Sequence, residues 1–507
     1  MLAVTAVGCT PAVGQGGTVD ARIASGEPFT WDPAQAGDAG SASVLAQVFE
    51  GLTAFDAESE VRPALASAWE SSDDGRQITF QLRSGLTYSD GTPILAQHVV
   101  DSWLQLIDPA QPSPLASLLA DVDGATQYQV AQVGADGVGL RANGDRVIVD
   151  LRRPATYFLS VTASPSLAVV PPSMFGRIDE TPPTIVSGAY VPSVPEPGTI
   201  HLSANPSYWA GVPPLDEIEL VTDFDSRSGV DLFASGEIDY TSIGSADASW
   251  AVYDRTLGPQ LRRTNSFSVS YYGFDTTIAP FDDADVRLAF AKAVDWDNMV
   301  TLADARPATS MIPPGVPGRD EQDHRPAYDP DAARTLLAGA GFPDGDGFPT
   351  VTLVTYGVGF ETTVERELEA NLGVDIEVEA HDFQGYFEAT ANASEPQIWT
   401  LSWIADYPHA HDFLGLLLET GSGSNTGEWS NAAYDALIEQ AAATEDTDGQ
   451  ARLYAQAQGI LAVQAPVVPV AYDESWALSR DGLLGALVSG VGFIRYAGLD
   501  WAPGAGR

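Results

Sequence analysis

Two hydrophobic periods alternate along this chain, and no other feature constrains its fold as tightly. In RQITFQLR (76–83), Ile78, Phe80 and Leu82 share one side of an extended segment, the period-two mark of a half-buried strand. IHLSAN, EIELVT, VTLVTY, GVDIEVEA and VVPVAY read as further strands. Helical patterns lie between them. DDADVRLAFAKAVDWDNMV (282–300) spaces Val286, Phe290 and Val294 along one helical face. YDPDAARTLLAGAGF (328–342) predicts a helix with Asp329 as N-cap, Pro330 in the first turn and Gly341 as the stop. GQARLYAQAQGILAVQAP aligns Leu453, Ala457 and Leu461 before Pro466 ends it. Strands alternating with helices predict α/β domains whose sheets are covered by helices. At 507 residues the chain exceeds one compact core.

Charge narrows the partners. The chain has 69 acidic and 24 basic residues, a net charge of −45, and Lys292 is its only lysine. Binding nucleic acid requires cations that release counterions from phosphate, so a nucleic-acid partner is excluded. A cationic solute is drawn in by this field and an anionic one is opposed.

Cys9 is the single cysteine, which rules out an intrachain disulfide. It follows MLAVTAVG, and the stretch resembles the end of a bacterial lipoprotein signal, with Cys9 as the lipid-bearing residue. On this reading residues 1–27 are a truncated signal and tether. The body then lies outside the cytoplasm, anchored to the cell membrane. No other stretch approaches the ~18 consecutive apolar residues of a membrane span.

Enzyme motifs are scarce. There is no G-x-S-x-G elbow and no H-E-x-x-H, and a Walker A loop has no lysine to use. GAGFPDGDG (339–347) follows a helix rather than a strand and reads as a turn. Abundant carboxylates leave an acid-pair hydrolase open. LSWIADYPHAHDFLGLL (401–417) holds Asp406, a turn residue, catalytic acid, metal ligand or partner of a cation on this evidence alone. In an extended segment His409 and His411 would point the same way, as two metal ligands do.

Many stretches in order resemble the extracytoplasmic solute-binding proteins of family 5 of ABC importers, the peptide, oligopeptide and nickel-binding group. They include VFEGLTAFDAESEVRPALASAWESSDDGRQITFQLRSGLTYSDGTPILAQHVVDSW (48–103), IHLSANPSYWAGVPPLDEIEL, FASGEIDY, APFDDADVRLAFAKAVD and WIADYPHAHDFL, within about residues 28–480. The resemblance implies a two-lobed periplasmic-binding-protein type II fold with a two-stranded hinge and an extra inserted domain. Mapped here, the first lobe is 28–54, 186–272 and 478–507, the insert 55–185, and the second lobe 273–477. It further implies a monomer without catalysis or cofactor that captures peptides in the interlobe cleft and delivers them to an ABC permease. Asp406 would take the ligand's α-ammonium group, with Trp403 and Tyr407 lining the pocket. Some oligopeptide binders of the family carry an arginine for the ligand carboxylate where this chain has Thr400; Arg306 and Arg319 are its candidate substitutes. Tyr271 and Tyr272 are read as strand residues near a domain crossing. A metal chelate, an oligosaccharide or an opine is the alternative solute.

Overall fold

The computed structural model describes residues 19–505 apart from 57–58, 176–180, 195, 304, 358, 392–394, 396, 487 and 493. Cys9 and the signal-like start lie outside the described residues. Part of the stretch expected as a tether through residue 27 is ordered: Ala21–Ala24 is a strand paired in parallel with Glu217–Val221 and, at Ile23, with Tyr240. Its burial alternates, with Ala21 and Ile23 turned inward. Four residues between a tether and an acidic loop give little periodic signal, and only distant partners make them a strand.

One mixed sheet runs through both lobes. The first lobe contributes Ala21–Ala24, Tyr190–Pro192, Thr199–Ala204, Glu217–Val221 and Tyr240–Ile243. The second contributes Val351–Thr355, Ile376–Ala380 and Gln397–Ile404. Two long antiparallel strands, Leu261–Phe274 and Val467–Ser479, join them. The latter pairs with Tyr240–Ile243 through residues 476–479, and the former with Gln397–Ile404 through residues 268–274. Their mutual register shifts between Asn265 and Val269, an irregularity that bends and twists a strand pair where the lobes meet. The long strands are the two-stranded hinge.

Within the expected insert, Ala66–Ser71, Gln77–Leu82, Leu140–Asn143 and Arg146–Asp150 form a separate antiparallel sheet. Ile78, Phe80 and Leu82 point into its core as their spacing predicts. The helix expected over 282–300 is two, Ala284–Ala293 and Trp296–Leu302. Val294 is extended and Asp295 caps the second helix by accepting from the Asn298 N–H at 3.2 Å. A capping aspartate inside a helical hydrophobic pattern breaks it without disturbing the buried face. Asp329 and Pro330 start the helix Pro330–Gly339 as expected.

The apolar cores show how the parts are joined. Ile23, Val44, Tyr190 and Leu220 belong to the core of the first lobe. Phe274, Phe290, Leu353 and Ile376 fill one side of the second. A further core is continuous from the insert (Phe80, Trp103, Phe158) to the other side of the second lobe (Tyr271, Trp399, Tyr434). Among the described residues no helix is long and apolar enough to cross a membrane.

Candidate functional site

Strand Gln397–Ile404 sits between Val351–Thr355 and the hinge strand Leu261–Phe274. Its side chains alternate between two faces. Trp399 and Leu401 point into the shared core with Tyr271. On the other face Thr400 and Tyr272 are wholly buried, whereas Ser402 is half-buried and Ile404 is 51% exposed. The sheet therefore emerges from its cover towards the hinge. Tyr271 and Tyr272 are strand residues of the interior, as read from the sequence.

The chain then turns at Ala405, whose N–H donates to the Phe267 carbonyl at 2.8 Å and ties the turn to the hinge. Asp406 follows, half-buried. Burial raises its carboxyl to about 6, and none of the described ion pairs includes it. Trp403 stands beside this turn, its indole N–H donating to Asp412 Oδ2 at 2.7 Å. Asp412 lies in the first turn of helix Ala410–Leu418 and is wholly buried. Burial, and then the neighbouring charge of Asp406, hold its carboxyl well above the usual carboxylate range. Two neighbouring carboxyls without a cation do not both ionise readily, so Asp412 retains its proton while Asp406 carries the charge. The result is one anionic group on the turn after Ile404 with a neutral acid behind it.

Tyr407, expected to line the pocket, packs between the second lobe and the insert. Its ring is buried, stacked on Tyr157 of the insert at 5.9 Å, and its hydroxyl pairs with His411 Nδ1 at 2.9 Å. The apolar body of a tyrosine favours an interdomain core once its hydroxyl has a partner. The two histidines also depart from the extended arrangement. His409 caps the helix, its Nδ1 accepting from the His411 N–H at 3.1 Å, and its Nε2 meets Gln450 Oε1 at 3.1 Å. His411 lies inside the helix, stacked on Tyr157 at 3.6 Å. Burial lowers His409 to about 4 and, with the charge of Arg153, His411 well below its usual value, so both are neutral. Among the described residues no group of three or more His, Cys, Asp or Glu is placed to hold a metal.

The candidate carboxylate-binding arginines divide. Arg319 is held inside the second lobe, donating to Tyr472 Oη at 2.9 Å and the Ile312 carbonyl at 2.7 Å. Arg306 is exposed and donates to Asn265 Oδ1 at 3.3 Å. Thr400 is fully buried, so its position does not reach the cleft at all. Sequence reasoning passed over Asp412, Ser402 and Asp473. The signal for Asp473 was an acid interrupting the apolar run VVPVAY at a strand position.

The profile of bacterial extracellular solute-binding proteins, family 5 Middle, matches residues 60–425. This chain belongs to that family. Its relatives include the probable deoxycholate-binding periplasmic protein YgiS of Escherichia coli, 30% identical over 88% of this chain and 86% of YgiS. The periplasmic oligopeptide-binding protein OppA of Salmonella typhimurium is 29% identical over 87% of this chain and 84% of its own. The solved structure of the Escherichia coli murein tripeptide binding protein MppA superposes with a TM-score of 0.78 at 26% identity, covering 95% of this chain and 97% of MppA. The two-lobed reading of this solute-binding protein and its hinge agree with that likeness.

Proposed function

We propose that this solute-binding protein captures peptides between its lobes through Asp406 and delivers them to an ABC permease, without catalysing any reaction. The observation that carries the reading is the unpaired, half-buried carboxylate of Asp406 at the cleft end of Gln397–Ile404, beside Trp403. A carboxylate held this way has lost part of its hydration and gains a charge-assisted hydrogen bond, about 1.5–3 kcal/mol, when an ammonium group arrives. The exposed end of the strand adds backbone groups that pair with an extended peptide whatever its side chains. Closure about the two hinge strands then buries the ligand, and it proceeds only if the ligand favours the closed form.

Relatives named for oligopeptides and a murein tripeptide support this reading. Deoxycholate, named for another relative, is an anion and would meet the like charge of Asp406. A monomer tethered through lipid on Cys9, with its body outside the cytoplasm, completes the proposal. Calorimetric titration with a tripeptide and its N-acetyl form tests the amine contact. Saturable binding of the free peptide, at least tenfold weaker after acetylation, is expected. Equal binding of both overturns it.

A further inference from the structure

The sheet face that carries Ser402 and opens at Ile404 holds a second carboxylate. Ser268 lies opposite Ile404, and Val269 lies opposite Tyr472, which brings Asp473 level with Ser268. Ser268, Asp473 and Ser402 thus belong to the face that is open at Ile404, opposite to Val269 and Tyr472. Asp473 Oδ2 accepts from Ser268 Oγ and, at 3.2 Å, from Ser402 Oγ. The two serine hydroxyls lie 3.4 Å apart, and the Ser402 N–H donates to Tyr356 Oη at 3.1 Å. This arrangement fixes an exposed carboxylate on hinge-strand backbone rather than leaving it on a mobile loop.

Among the described residues no cation completes it. The basic side chains around the hinge are engaged elsewhere: Arg263 with Glu474, Arg306 with Asn265, and Arg319 with Tyr472 and Ile312. Among the described residues neither Asp406 nor Asp473 enters an ion pair; the hydroxyls on Asp473 orient its charge without neutralising it. Asp473 lies two strands across the sheet from Gln397–Ile404, the strand that ends just before Asp406, about 10 Å at ordinary strand spacing. That distance spans an α-ammonium group and a basic side chain within the first few residues of one extended peptide.

We propose that Asp473, oriented by Ser268 and Ser402, is a second cation subsite, and that the preferred ligands carry two positive charges, the α-ammonium group at Asp406 and a lysine or arginine side chain at Asp473. The inference rests on the peptide reading above and adds side-chain selectivity to it. Selectivity arises because a neutral side chain leaves the Asp473 carboxylate to be buried unpaired as the lobes close.

The test uses the full chain and three tripeptides, Lys-Ala-Ala, Ala-Lys-Ala and Ala-Ala-Lys, each matched with norleucine in place of lysine. Norleucine keeps the aliphatic stem and removes the charge. For at least one pair, wild type is expected to bind the lysine peptide ten or more times tighter, and D473N to narrow that ratio below threefold. S402A is expected to narrow it in the same direction while leaving the carboxylate present. Equal affinities in every wild-type pair, or a ratio unchanged by D473N, overturn the second subsite and leave the peptide reading standing. If none of the six peptides binds, both fall.

Discussion

Asp406 and Asp412 put opposite demands on the folded state with and without ligand. Burial raises the Asp406 carboxyl to about 6, against 3.8 for an ordinary aspartate, so the unliganded fold holds its proton more tightly than the unfolded chain does. A raised carboxyl destabilises the fold only where the unfolded chain ionises. The cost is absent below about pH 4, grows from about pH 4 to 6 and is complete above that range. Asp406→Asn is therefore expected to stabilise the unliganded protein by about 1–3 kcal/mol at pH 7.5 and by only about 0.5 kcal/mol at pH 4. Thermal unfolding of both proteins at the two pH values measures it. Peptide affinity has the complementary dependence, because the ammonium group needs the ionised acid. It is expected to be highest near pH 7, to fall towards tenfold per unit below about pH 5, and to fall again above about pH 8 as the α-ammonium group loses its proton. At this scale the sequence was only half legible. The local string around Asp406 left four roles open, and the family resemblance selected the amine contact. Asp412 went unremarked because its burial and its bond to Trp403 depend on how the turn folds back onto the strand.

Helix Ala410–Leu418 shows how an element fixes the neighbourhood of the site. Its His409 cap and Trp403–Asp412 bond hold the turn bearing Asp406. Gly415 sits one helical turn beyond His411, and a Cβ there would lie 2.4 Å from His411 Nε2. Gly→Ala inside a helix normally gains about 1 kcal/mol. Here the sign reverses: Gly415→Ala is expected to cost about 1–3 kcal/mol by overpacking, read as a lowered denaturant midpoint with an unchanged slope. Periodicity located the strand Gln77–Leu82 and the helix Pro330–Gly339 from neighbours within a few residues. It missed the break at Val294–Asp295, where the buried face continues although the backbone does not. It also placed His409 and His411 in an extended segment, since a cap and a first helical turn leave no hydrophobic repeat to read.

Across the whole molecule, the insert and second lobe share a core and an ionic clasp. Arg153 Nη2 donates to Glu419 Oε2 at 2.9 Å, Arg153 Nε donates to Asp121 Oδ1 at 2.8 Å, and Arg153 and Glu419 are mostly buried. Arg153→Ala leaves both carboxylates without that cation and is expected to cost about 3–5 kcal/mol, measured by urea unfolding. Glu419→Gln, which keeps the shape, is expected to cost less. The α/β class was legible in the alternating patterns, but the continuity of one sheet through both lobes was not. Pairing of Ala21–Ala24 with Glu217–Val221 joins residues far apart in the chain, and local periodicity carries no information about such partners. The lobes and hinge entered through the resemblance and are carried here by the pairing of Leu261–Phe274 with Val467–Ser479. The proposed transport role turns on capture of an amine between those lobes by Asp406. Calorimetric titration of wild type and Asp406→Ala with one pool of defined di- to pentapeptides tests it most directly. Saturable wild-type binding that weakens at least tenfold in the variant is the expected result; equal binding by the two proteins, or none by wild type, would contradict it.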